Sequence, residues 1–141
     1  MYIQDILKQY QEGTRDFRDI DLSQINLSGI NLSQANFARS NFQEASLAWS
    51  DLERSFLVES NFAGAFLYGA NLSFVKLKLA NLVEADLTKA NLSGAQLHRV
   101  NLQGAKLSGA VLNWVNLYMA NLPEVNLCGA NLNGINLRGA N

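Results

Sequence analysis

Residues 80–97, ANLVEADLTKANLSGAQL, place leucine at 82, 87, 92 and 97, a strict spacing of five. Extended both ways, the same ruler marks 25 positions from Phe17 to Leu137, and every one is Leu or, at Phe17, Phe37, Phe42 and Phe62, Phe. At about 100° per residue a step of five rotates a helix by roughly 140°, so the leucines would scatter around the cylinder instead of forming a stripe. On a strand an odd step throws successive leucines to opposite faces. The chain must therefore turn within each repeat. Turning aims every central side chain back at one axis, and stacked coils then bury a continuous apolar column.

The slots around each centre fit that geometry. Two residues before it, from Ile20 to Ile135, stand twelve Ala, four Ser, four Val and four Ile, small or β-branched residues that fill the space between large ones. The slot immediately before the centre is Asn or Asp except at Ser46, Phe56, Phe66, Lys76, Gln96, Lys106 and Val111. Short amides and carboxylates there can bond turn backbone and stack in ladders. Nine of the ten glycines fall two residues after a centre, and the one proline, Pro123, falls one residue after. Proline first and a positive-φ residue second is the preference of a type II turn.

Ala90–Asn91–Leu92–Ser93–Gly94 and its A-[DN]-L-x-x relatives resemble the pentapeptide-repeat family, and the resemblance covers residues 15–141. It implies an all-β fold, a right-handed quadrilateral β-helix with four repeats per coil. Periodicity alone does not prove four sides, although Phe56, Lys76 and Gln96 share one 20-residue register and Ser46, Phe66 and Lys106 another. Two segments are expected: a capping helix over 1–13 and a repeat domain of about six coils over 14–141, each coil rising ~4.8 Å. In the cap, Ile3, Ile6, Leu7 and Tyr10 follow helical spacing, with Gly13 as the stop. Its apolar face would cover the first coil.

Composition narrows the function classes. With 48% hydrophobic and 16% charged residues the chain has ample apolar material for one soluble domain. A net charge of −1 argues against bulk nucleic-acid binding, which wants a basic domain, and against mimicry of DNA, which wants an acidic one. No run is long and apolar enough for a membrane span, and the N-terminus has no signal-peptide core, so a cytoplasmic location is expected. His98 and Cys128 are the only histidine and cysteine. They lie 30 residues apart, one and a half coils, too far for a catalytic dyad or a shared metal. Glu44, Glu84 and Glu124 share one face and read as a solvated acidic surface. No catalytic residue, metal site or cofactor is expected, and the chain reads as a non-enzyme.

Two surface features call for an explanation. The face centred on Phe17, Phe37, Leu57, Leu77, Leu97, Leu117 and Leu137 carries Arg18, Arg39, Lys76, Lys78, Arg99 and Arg138, while the next face carries Asp21, Glu44, Glu84 and Glu124. Bulky residues occupy the turn-glycine slot at Trp49, Phe74, Leu79, Trp114 and Met119, which predicts a different turn type there, because positive φ is costly for such side chains. Phe74, Leu79, Trp114 and Met119 fall on or beside the basic face with Phe56, Val58 and Tyr118; Trp49, Phe66 and Tyr68 form a smaller group opposite.

A contiguous aromatic group flanked by Lys76, Lys78 and Arg99 reads as a protein interface, and a protein-binding or scaffold module is the leading expectation. Some members of the resembled family act as DNA mimics that bind type II topoisomerases and protect against quinolones; near-neutral charge disfavours that role here. A structural or oligomeric role is the third. The final coil, with Leu132, Ile135 and Leu137, is expected to be uncovered and to pair two copies through a two-fold axis.

Overall fold

In the computed structural model, which describes residues 2–141, each repeat is one β-turn followed by one bridging residue. From Leu22 on, the carbonyl of each central residue accepts the amide three residues on, as in Ala85 N–H to Leu82 O at 3.1 Å, and at Phe17 the Ser40 hydroxyl bridges the two groups. The residue two after the centre has positive φ in all 25 repeats, and no residue one after the centre does. That combination belongs to a type II turn.

The bulky turn residues correct the expectation of a second turn type. Trp49, Phe74, Leu79, Trp114 and Met119 have φ of 59°, 57°, 60°, 62° and 56°, the same geometry as the glycines. The amide of this residue is held by the next coil: Phe74 N–H donates to Ser93 O at 2.9 Å and Trp114 N–H to Asn133 O at 2.8 Å. Left-handed backbone costs about 1–2 kcal/mol for an L-residue. A different turn would lose this bond and its neighbours at about 1 kcal/mol each and misplace a buried Leu worth about 1.5–3 kcal/mol. The uniform turn therefore wins.

Coils repeat every 20 residues. Parallel bridges join Asp16 to Asn36, Asn36 to Phe56, Phe56 to Lys76 and Lys76 to Gln96, and three further columns repeat the pattern. Each bridge is a single residue, and no longer strand is present among the described residues, so the all-β expectation holds only as ladders of isolated bridges. Side chains 20 apart stand next to each other. Asn61 Nδ2 donates to Asn41 Oδ1 at 3.1 Å, and Asn81 Nδ2 to Asn61 Oδ1 at 3.1 Å. The same oxygens cap turns, Asn61 Oδ1 accepting the Ala63 amide at 3.1 Å.

Every central residue from Phe17 to Leu117 is buried. Towards the N-terminus the column is aromatic, with Phe17 stacked on Phe37 at 5.3 Å and Phe42 on Phe62 at 4.5 Å between centroids. The last four centres break the expectation of burial to residue 137. Leu122 and Leu127 are half-buried, Leu132 is 37% exposed and Leu137 is 43% exposed. Within this end, the amides of Leu127, Gly129, Leu132, Gly134, Leu137 and Gly139 have no backbone partner, twice as many as the open carbonyls of Val125, Ala130 and Ile135.

The opposite end is covered. Helix α1, Ile3–Gln11, buries Ile6 and packs Ile3 and Tyr10 against the first coil. Tyr10 also donates its hydroxyl to Ser33 O at 2.9 Å. The helix ends as expected at Gly13, φ 100°, with Gly13 N–H to Tyr10 O and Thr14 N–H to Gln9 O closing a Schellman motif. Met1, the first residue of the expected cap, lies outside the described residues. No helix among the described residues is long and apolar enough to cross a membrane.

Candidate interface on the basic and aromatic corner

Because residues 20 apart are neighbours, the expected interface resolves into columns running along the rod. One corner column reads Gln34, Arg54, Phe74, Gly94, Trp114, Gly134, and the column beside it reads Asn36, Phe56, Lys76, Gln96, Asn116, Asn136. Across the same face run Val58, Lys78, His98 and Tyr118, then the next corner with Leu79, Arg99 and Met119. Phe56, Phe74, Leu79, Trp114, Tyr118 and Met119 are all exposed, Trp114 the most at 73%.

The first two columns enclose a groove of about 440 Å³ lined by Gln34, Arg54, Phe56, Phe74, Lys76, Gly94 and Gln96. Aromatic and cationic side chains alternate in it like squares on a board. Arg54 and Phe56 share one coil, and Phe74 and Lys76 share the next. The Lys76 ammonium lies 4.5 Å from the Phe56 ring centroid, and the Arg54 guanidinium 5.2 Å from that of Phe74. Phe74 also leans across Gly94, where a Cβ would stand 2.6 Å from the ring. Glycine at 94 therefore gives the ring its seat as well as completing a turn.

Of the expected residues, Phe56, Phe74 and Lys76 are brought together in the groove. Val58, Lys78, Leu79, Arg99, Trp114, Tyr118 and Met119 lie outside the groove. Trp114 is two coils along the same corner from Phe74 and leans the same way, over Gly134. Arg99 meets Met119, Nη2 to Sδ at 3.8 Å. Gln34, Arg54, Gly94 and Gln96 were not anticipated. The signal for them was present in the 20-residue columns, but it becomes readable only once the turn is known to set the slot after one centre beside the slot before the next.

The charge on this face is concentrated at mid-rod. Arg18 and Arg39 are neutralised by bidentate pairs with Asp16 and Asp19, each with a shortest contact of 2.7 Å, and the guanidinium bonds hold both carboxyls below their ordinary range. Lys76, Lys78 and Arg99 have no ion pair among the described residues, and Arg54 has only an exposed contact with Glu53 at 3.3 Å. Surface pairs of that kind contribute little. His98 registers the local field: burial first, then Lys78 and Arg99, push its pKa down, and its Nδ1 is buried without a hydrogen-bond partner.

Other expected features fall as follows. Trp49 packs edge-on against Tyr68, centroids 5.3 Å apart, and lies over Gly69. Phe66 is exposed one repeat slot away. Glu44, Glu84 and Glu124 share a column with Gly64 and Gly104 between them, and Gln24 donates to Glu44 at 3.0 Å. Cys128 is exposed and free, two columns round the coil from His98.

The profile described as Pentapeptide repeats matches in eight copies, over residues 16–54, 40–78, 67–104, 80–117 and 105–141. No curated protein matches the chain. Among solved structures, HetL, a pentapeptide repeat protein involved in heterocyst differentiation regulation from the cyanobacterium Nostoc sp. strain PCC 7120, is 26% identical over 99% of this chain and 94% of its own, with a TM-score of 0.28. A pentapeptide repeat protein from the cyanobacterium Cyanothece 51142 is 26% identical over 99% and 96%, with a TM-score of 0.28. QnrB1, a plasmid-mediated fluoroquinolone resistance protein, is 16% identical over 89% and 92%, with a TM-score of 0.38.

Proposed function

Since the chain belongs to the pentapeptide-repeat family, we propose that it is a right-handed quadrilateral β-helix acting in the cytoplasm as a non-enzymatic protein-binding module. Its partner docks on the basic and aromatic face. The observation that carries this reading is the meeting of exposed Phe56, Phe74, Trp114 and Tyr118 with cations that have no ion pair, Lys76, Lys78 and Arg99. Exposed aromatic clusters ringed by such charge are what interface hot spots are made of.

With the chain as bait in a lysate of its source organism, the double change Phe74→Ser and Trp114→Ser should abolish capture of the partner. Charge reversal at Lys78 or Arg99 should slow association without unfolding the rod. A partner that ignores the double change would make the face ordinary surface.

Mimicry of DNA has less support. The acidic column alternates Glu with Gly at 64 and 104, so it carries no continuous negative stripe, and the net charge is −1.

The exposed Leu132 and Leu137 favour a second contact, a two-fold homodimer through the C-terminal coil. The excess of amides on that edge leaves such a pair without a continuous ladder, so apolar contact must hold it. Light scattering at tens of micromolar tests it, with Ile135→Glu and Leu137→Glu expected to give monomers; a monomer before either change would end it.

A further inference from the structure

We propose that the corner groove walled by Arg54, Phe56, Phe74 and Lys76, with Gln34 and Gln96 at its ends, binds an extended acidic peptide segment of a protein partner. The inference rests on the reading of this face as a protein-binding surface, and it adds where the partner docks and with what chemistry.

Three observations select the occupant. First, the ring faces are already partly taken: the Arg54 guanidinium lies over Phe74 at 5.2 Å, and the Cδ1–Cε1 side of that ring leans on Gly94. One face of Phe56 is taken by Lys76 at 4.5 Å. A nucleobase needs an open ring face to stack on, and on each ring a cation already covers one. The cations seated on the rings, together with the positive ring edges, favour an anion as occupant. Second, the cations are available. Lys76 has no ion pair among the described residues, and the contact of Arg54 with Glu53 is long and exposed. Carboxylates arriving between them would meet two positive charges on apolar walls, where charge-assisted bonds are stronger than in open water. Third, the side-chain carboxamides of Gln34 and Gln96, unlike their backbone amides, make no hydrogen bond within the described chain, and each offers a donor pair and an acceptor to a peptide backbone. A groove of about 440 Å³ that runs along the rod and stays open suits a segment passing through it. With a net charge of only −1 on the whole chain, affinity for anions here is local and not a property of the rod.

The test is fluorescence anisotropy of a labelled hexaglutamate peptide with the full chain at ~0.1 M salt, where the Debye length is about 10 Å. Saturable binding is expected, weakened about tenfold by Lys76→Gln and again by Arg54→Gln, and changed less than about twofold by Lys106→Gln on the opposite corner, since a charge change remote from the groove is screened. Thermal unfolding of each variant, expected to match that of the wild-type chain, separates lost binding from lost folding. Gln96→Ala, which alters no charge, provides a second probe of the groove and should also weaken the peptide. Absence of saturable binding overturns the proposal. So does an equal loss with Lys106→Gln, displacement of the peptide by equimolar inorganic phosphate, or tighter binding of an oligothymidylate through the same two cations. If the peptide fails while partner capture still depends on Phe74 and Trp114, the groove assignment falls and the broader interface stands; if capture is also indifferent to them, both fall.

Discussion

The ring of Phe74 lies across Gly94, its neighbour one coil further on, so closely that a Cβ at Gly94 would stand 2.6 Å from Cδ1 and from Cε1. Gly109 has nearly the same backbone, φ 65° against 69°, but its Cβ would meet only Lys89 Cγ at an ordinary 3.6 Å. The two glycines therefore separate conformational cost from steric cost. Gly109→Ala should destabilise by about 1–2 kcal/mol through left-handed backbone alone. Gly94→Ala should add about 1–3 kcal/mol of overpacking, and in a Phe74→Ala background that addition should vanish. Denaturant midpoints of the three single variants and the double mutant check it; equal costs at both glycines would mean that the ring is not seated there.

The apolar column should be strong in the middle and weak at its far end. Leu87 is fully buried, and Leu87→Ala should cost about 2–5 kcal/mol through lost transfer energy and a residual cavity. Leu132, at 37% exposure, has less to lose, and Leu132→Ala should cost under about 1 kcal/mol, in the range of partly exposed sites. Equilibrium unfolding of both variants decides. A similar cost at both positions would contradict an uncovered last coil.

His98 gives the chain a stability slope in mildly acidic solution. Burial and the charges of Lys78 and Arg99 hold its folded pKa below the ordinary 6.5. The unfolded chain therefore takes up the proton first as pH falls. Stability is full above pH 6.5 and declines as pH drops from there towards the folded value. His98→Gln should remove that slope, and Lys78→Gln should raise the histidine pKa in an NMR titration, readily assigned because the chain has one His. A folded pKa at or above the ordinary value would refute the assigned environment.

Much of this was legible in the five-residue ruler. The spacing from Phe17 to Leu137 forces turns and a shared axis, and Gly and Pro123 mark the type II geometry. The turns at Trp49 and Trp114 were misjudged because propensity belongs to an isolated turn, whereas here amides bonded to the next coil impose the conformation. The end of the core was misjudged because the ruler runs on through Leu132 and Leu137 regardless of whether a coil follows to cover them. The groove was half visible. Phe56, Phe74 and Lys76 were selected as bulky or charged residues in unusual slots, but Arg54 and Gln96 look like ordinary polar surface until the columns are set side by side.

Everything above depends on residues 20 apart being neighbours, and crosslinking measures that directly. In a Cys128→Ser background, Asp86→Cys with Lys106→Cys places two thiols on bridge partners, at a coil spacing of ~4.8 Å that lies within the reach of a disulfide. Asp86→Cys with Gln96→Cys places them half a coil apart, in columns that share no bridge. Under mild oxidation the first pair should close quantitatively within the monomer and the second should stay reduced. Closure of the second pair with none in the first would contradict the 20-residue coil, and with it the groove.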